Sequence, residues 1–222
     1  MITPRPITCF ILSALLLSSC RLVQDEPGRI VRVKALADPS FRARNPRWHE
    51  ELRASIDAAS DYFEREFEIR LVTQSTAPWP AKERVASTPA LLLKLKQDFP
   101  AATNDGTYDI IIVFTAETLS RYAPEGRPRV DRIGDCEKGL GSYVVLPAST
   151  MFRRAAAWDE LGYDTVALIH ELGHIFGAEH VHDNRSIMHE NFDYRSEFDM
   201  KNRGVILTNR NCPFAGESGN RH

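Results

Sequence analysis

From Arg29 to Ala35 (RIVRVKA) the chain alternates apolar and basic residues, the pattern of a strand with one wet face. The period then changes. Between Pro46 and Phe67, Leu52, Ile56, Ala59 and Phe63 recur at spacings of three or four, which predicts an amphipathic helix with Asn45 as its cap and Pro46 as its first residue. Glu68 to Thr73 (EIRLVT) alternates again and reads as a second strand, closed by the proline-rich turn APWPA. Thr88 and Pro89 open a second helix over Pro89 to Phe99, which ends before Pro100. Tyr108 to Phe114 (YDIIIVF) is a continuous apolar run of strand length, as a central strand buried on both faces requires. Arg121 to Asp135, with four arginines and two prolines, reads as a long surface loop. Gly141 to Pro147 (GSYVVLP) is a short strand that stops at proline, the habit of an edge strand. Strands interspersed with helices, then a helix-rich C-terminal part, indicate an α/β or α+β layer structure.

The N-terminus breaks this pattern. MITPRPITCFILSALLLSSC carries Arg5 as its only charge, then an apolar run from Ile7 to Leu17, and reads as an export signal over residues 1–19. The run is shorter than the roughly 20 apolar residues that cross a bilayer. Leu17-Ser18-Ser19-Cys20 resembles the lipobox of bacterial lipoproteins, and the resemblance implies cleavage before Cys20 and acylation of that cysteine. Arg21 is not the aspartate that retains some such proteins in the inner membrane, so the implied address is the outer membrane of the cell envelope. A plain secretory signal is the alternative. Residues 20–28 would be lipidated cysteine and tether, 29–213 the folded domain, and 214–222 a flexible tail.

Composition adds two constraints. With 28 basic and 30 acidic residues among 222, the formal net charge is −2, so no global basic field exists to hold nucleic acid. Once the signal is removed and Cys20 carries lipid, Cys136 and Cys212 remain. An even pair in an exported chain suggests one disulfide, closing a 76-residue loop; two unpaired thiols are the alternative.

Three of the seven histidines fall in eleven residues, His170 to His180 (HELGHIFGAEH). Asp164 is placed to cap a helix running through Leu168 and Ile169 to Phe176, and Gly177 to end it in a left-handed turn. His170 and His174, four apart, lie about 40° around the helix axis from each other and can face one ion. Glu171 stands about 100° further round, beside the ion without being forced to ligate it, which suits a general base. Gly177 lets the chain reverse so that His180 can return to the metal. Three neutral imidazoles leave a fourth position open, the arrangement of a catalytic zinc site rather than a closed structural one. Fixing these five residues by chance in a chain of this length has an expected count on the order of 10⁻⁵, so accident does not explain the motif.

The sequence resembles the metzincin zinc peptidases, whose signature is HExxHxxGxxH followed by a turn containing methionine. Met188, in Ser186-Ile187-Met188, holds that methionine's place. The resemblance implies a twisted mixed sheet, Gly141 to Pro147 as the edge strand, a zinc-binding active-site helix, an apolar floor at Met188, and a C-terminal helix near Glu197 to Leu207. It further implies a zinc endopeptidase with one catalytic Zn2+ on His170, His174 and His180, Glu171 assisting attack of a zinc-held water on the peptide bond. A surface lipoprotein that uses the same zinc-binding fold as a non-catalytic binding module is the alternative. The implied partners are a protein or peptide substrate and, through the lipid, the membrane; no nucleic acid and a monomeric chain are expected. A Cys136–Cys212 link resembles a disulfide of the adamalysin-like branch.

Two positions depart from the family's patterns. Val181 stands where several subfamilies have a diagnostic polar residue. Glu190 stands two after the methionine, where astacin-like and serralysin-like members have a tyrosine, and Tyr194 is out of register, so no tyrosine ligand is expected. His182 and His189 read as surface histidines, and the acids around Asp131 to Asp135 lack a calcium-loop spacing.

Overall fold

The computed structural model describes residues 28–80, 87–100, 106–116, 129–147, 162–190 and 197–215. The expected signal, Cys20 and Tyr194 lie outside these residues. Among the described residues no helix is long and apolar enough to cross a membrane.

In chain order the elements are β1 (Arg29–Ala37), α1 (Pro39–Arg44), α2 (Trp48–Phe67), β2 (Ile69–Pro78), α3 (Thr88–Asp98), β3 (Ile110–Thr115), β4 (Tyr143–Pro147), α4 (Tyr163–Ile175) and α5 (Met200–Asn209). The strands form one sheet in the order β2-β1-β3-β4, and all neighbours are parallel. Parallel strands need crossover connections: α1 and α2 connect the neighbours β1 and β2, and α3 lies on the path from β2 past β1 to β3. The fold is a mixed α/β structure. The mixed sheet expected from the sequence is parallel through its four strands, and its antiparallel part shrinks to an isolated bridge between Val130 and Val144.

Strict alternation sends each strand's side chains into two cores. Val31, Val33, Ala35 and Ala37 of β1, Ile110, Ile112 and Phe114 of β3, and Val144 and Leu146 of β4 face α2 and α4. The opposite face presents Leu36, Ile111, Val113, Tyr143 and Val145 to Trp79 and to Leu91, Leu92 and Leu95 of α3. Because both faces are covered, β3 is apolar at nearly every position. An aromatic layer backs α4: Phe63 lies 5.2 Å from Phe67 and 6.0 Å from Phe176 between ring centroids, and Phe67 lies 5.3 Å from Phe198. Truncating a buried phenylalanine of this kind costs about 3–5 kcal/mol.

Several boundaries differ from expectation, each for a local reason. Asn45 does not cap α2: its side chain turns back to donate to the Phe41 carbonyl at 2.9 Å, closing the short helix α1, and α2 starts at Trp48 without a side-chain cap. Ser87, one residue earlier than expected, caps α3. Asp164 lies in the first turn of α4, and the cap is Gly162. Glu197 pairs with Ser186 in a bridge, so the C-terminal helix begins at Met200, capped by Asp199. Phe214, expected to open the flexible tail, is buried and bridges Leu140, while Ala215 N–H donates to the Leu140 carbonyl at 2.9 Å.

The strand read as an edge, β4, ends the sheet, and its outer side carries one further isolated pairing. The outer side of β4 is met by residues 129–131, part of the stretch read as a solvated loop: Asp131 N–H donates to Tyr143 O at 3.2 Å and Val145 N–H to Arg129 O at 2.8 Å. The Asp131 carboxylate fixes this segment by accepting the N–H groups of Ser142 and Tyr143 at 2.9 and 3.1 Å. Among the described residues, 129–131 form the outermost paired segment on that side.

Candidate metal centre

Helix α4 carries His170, Glu171 and His174 into the interior, all nearly inaccessible to solvent. Met188 and Phe198 pack so closely on this helix that a Cβ at Gly173 would meet Met188 Sδ and Phe198 Cε1, each at 2.8 Å. The helix ends at Gly177, whose φ of +98° is the expected left-handed turn. A Cβ there would approach Asn209 Nδ2 to 2.5 Å and Gly134 O to 2.6 Å, so both the backbone angle and the space require glycine. The reversal brings His180 back to α4.

The three Nε2 atoms form a nearly equilateral triangle: 3.2 Å from His170 to His174, 3.2 Å from His170 to His180, and 3.1 Å from His174 to His180. His170 Nδ1 donates to the Ile187 carbonyl and His174 Nδ1 to the Ala178 carbonyl, both at 2.7 Å. A carbonyl can only accept, so these Nδ1 atoms hold the protons and each Nε2 presents a lone pair. Lone pairs converging at this range repel one another unless a cation lies among them. Donors about 2.0–2.1 Å from one ion at tetrahedral angles stand roughly 3.3 Å apart, so the triangle fits zinc. Burial and the neighbouring imidazoles push His170 well below the usual histidine range, and burial pushes His174 down to about 4 and lowers His180 as well. All three are held neutral, the form that ligates metal.

Glu171 is 3% exposed, and burial raises its carboxyl to about 7; the Arg129 guanidinium and backbone N–H oppose that rise. Arg129 N–H donates to Glu171 Oε2 at 3.0 Å, and its Nε lies 3.9 Å from Oε1. The sequence does not single out Arg129, because four arginines in a proline-containing stretch carry no periodicity that marks one of them as paired.

Met188 is fully buried, and the turn around it is pinned at several points. Ile187 N–H donates to Glu197 O at 2.7 Å, Val181 N–H to Met188 O at 3.1 Å, and Met188 N–H to Ser186 Oγ at 3.0 Å. Cys136 and Cys212 are joined in a disulfide with Cα atoms 5.0 Å apart, so neither offers a thiol to the metal. This bond ties the end of α5 to the loop whose Gly134 N–H donates to the His174 carbonyl at 2.9 Å. Glu190 places a carboxylate oxygen 3.9 Å from His180 Nδ1. Of the acids between residues 131 and 135, Asp131 accepts two backbone N–H groups, and Asp135 Oδ1 accepts Lys138 N–H at 2.6 Å.

A three-histidine centre with a buried carboxylate beside it, on a helix beneath a mostly parallel sheet, defines a metal-dependent hydrolase class. Residues 28–220 match the sequence profile of metallopeptidase family M12, and the chain belongs to that family, a zinc peptidase. Among solved structures it is similar to archaemetzincin from Methanopyrus kandleri, with 24% identity over 81% of this chain and 95% of that one, at a TM-score of 0.48. A search of curated proteins gives no significant match.

Proposed function

We propose that the chain is a zinc endopeptidase of the cell envelope, with Glu171 as general base and His170, His174 and His180 as the metal ligands. The observation that carries this reading is the buried Glu171, raised to about 7 beside three imidazoles held neutral. Such a carboxyl can take a proton and give it back near neutral pH. Bound zinc would supply Lewis acidity, lowering the pKa of water and polarising the scissile carbonyl.

Glu171 accepts the proton of the attacking water and returns it to the leaving amine. Its Oε2 is held by the backbone N–H of Arg129, so the carboxylate is oriented by the same segment that borders the sheet. The bonds of Arg129 O and Asp131 N–H to β4 turn the N–H and C=O of Val130 to the outer side. A substrate held extended along this side of the sheet through its main chain is bound in a mode that takes internal segments of a polypeptide and reads little sequence. This supports endopeptidase action on a substrate laid along the β4 end of the sheet.

The lipobox-like Leu17 to Cys20 and the arginine rather than aspartate at position 21 support lipid anchoring through Cys20 and an outer-membrane address. The Cys136–Cys212 bond supports kinship with the adamalysin-like branch.

The test is cleavage of a diverse peptide library by the purified full chain, zinc-loaded, beside Glu171→Gln, with bound zinc measured in both. Chelator-sensitive internal cuts that vanish in the variant while zinc is retained are expected. Full zinc occupancy with no cleavage by the wild type would instead return the binding-module reading. Mass analysis of the N-terminal peptide checks the anchor: an unmodified Cys20 would remove it.

A further inference from the structure

Near the centre, outside the ligands, Asn202 is a buried polar group whose amide is fully engaged; it lies in the first turn of α5 and is 1% exposed. Its side chain grips one residue's backbone at two points: Glu179 N–H donates to Oδ1 at 3.0 Å, and Nδ2 donates to Glu179 O at 2.9 Å. Glu179 immediately precedes His180 in the chain. The grip therefore fixes the backbone from which the third imidazole projects, in a segment that has left α4 and has no helix of its own.

The same side chain is locked in turn. Asp199 accepts Asn202 N–H on Oδ1 at 3.0 Å and Asn202 Nδ2 on Oδ2 at 2.8 Å. Its Oδ2 also accepts Ser186 Oγ–H at 2.8 Å, and Ser186 Oγ accepts Met188 N–H at 3.0 Å. That turn supplies the Ile187 carbonyl that holds His170 Nδ1. One polar network thus reaches two of the three ligands by separate routes, His180 through the Glu179 backbone and His170 through residues 186–188.

We propose that Asn202, by its two-point grip on the Glu179 backbone, and Asp199, through Ser186, are positioning residues by which α5 sets the metal affinity of the centre. Neither residue belongs to the three-histidine cluster. The proposal rests on His170, His174 and His180 being the ligands. Partners that orient a ligand in this way typically change metal affinity about 10–100-fold when removed. The Asn202 amide cannot be replaced by a carboxylate, since Nδ2 donates to both Glu179 O and Asp199.

The experiment measures zinc affinity by competition with a chelating dye, and the visible absorption of the cobalt-substituted full chain, for wild type, Asn202→Ala and Ser60→Ala. Ser60 Oγ accepts Leu71 N–H at 2.9 Å between α2 and β2, so its loss also orphans a buried backbone group, away from the ligands. Asn202→Ala is expected to bind zinc about 10–100-fold more weakly and to alter the cobalt spectrum, while Ser60→Ala melts earlier yet binds within about twofold of wild type. Should Asn202→Ala fail to accumulate, Asn202→Ser keeps one polar atom toward Glu179 and is expected to fall between. Wild-type affinity and spectrum in the Asn202 variants would overturn the proposal, as would equal weakening in Ser60→Ala. A wild type that takes no zinc sinks the ligand assignment itself, a result distinct from one that binds normally with or without Asn202.

Discussion

The backbone N–H of Arg129 donates to Oε2 of Glu171 at 3.0 Å, so the segment flanking the sheet and the buried carboxylate of α4 are joined without any side-chain intermediary from the segment. A substitution at Arg129 preserves that bond and removes the guanidinium alone. Replacing Glu171 by Gln keeps the shape and the accepting oxygen but removes the titratable group proposed to carry the proton. Glu171→Gln should lower kcat by about 10²–10⁴-fold with zinc content unchanged. Residual activity within about tenfold of wild type, measured on a zinc-replete sample, would assign the base elsewhere.

The metal-free protein should lose stability as pH falls from neutrality. His170, His174 and His180 are all lowered by burial, so the unfolded chain binds protons near 6.5 that the folded one refuses until about 4 in the case of His174. Their contribution is complete above 6.5 and is lost as pH falls through that window. Glu171 works oppositely: raised to about 7, it favours the folded state at low pH and ceases to do so as pH rises through 7. Three groups outweigh one, so stability rises with pH between about 5 and 6.5, by roughly 1.4 kcal/mol per pH unit for each net proton. Thermal melts of chelator-treated protein at about pH 5 and pH 7 check the sign; a higher Tm at the lower pH would contradict it.

Much of this was legible in the sequence because two signals were strong. Alternation located β1 and β2, apolar runs β3 and β4, the 3.6-residue period α2 and the flanking prolines α3, and the spacing of His170, Glu171, His174, Gly177 and His180 marked all five residues as one motif. What stayed hidden is long-range and polar. The pairing of residues 129–131 with β4 depends on Asp131 accepting two N–H groups from residues 142 and 143, which no local pattern encodes. Asn45 looked like a helix cap because Asn before Pro usually is one, and tertiary burial assigned it to the preceding helix instead. Asn202 was silent for the same reason: a lone asparagine in a short polar helix gains its meaning only once Glu179 is packed against it.

Two glycines should respond to alanine with opposite signs. At Gly177 the φ of +98° and approaches of 2.5 and 2.6 Å leave no room for a methyl group, and the turn delivers His180. Gly177→Ala should destabilise by more than about 1–2 kcal/mol and weaken zinc binding. Gly204 lies exposed inside α5, and a methyl group placed on its Cα would meet nothing within 4 Å, so Gly204→Ala should gain about 0.5–1 kcal/mol from the helix backbone. Denaturant titration of both variants decides the matter: no loss in Gly177→Ala would mean that the turn relaxes freely, and a loss in Gly204→Ala would contradict the open helical position.

The disulfide should matter to the metal centre as well as to overall stability. Cys136 and Cys212 are separated by 76 residues, for which the chain-entropy relation gives about 4 kcal/mol of stabilisation. Closure of that loop also holds α5 against the segment where Gly134 N–H meets the His174 carbonyl and where Asn209 Nδ2 donates to Phe176 O at 3.0 Å. Both bonds lie at the end of the helix that carries His170 and His174. Cys136→Ser with Cys212→Ser should therefore lower the midpoint of denaturation and speed the release of zinc to a chelator, while occupancy at saturating zinc is retained. An unchanged zinc release rate in a variant that is measurably less stable would confine the disulfide to the global fold and separate it from the centre.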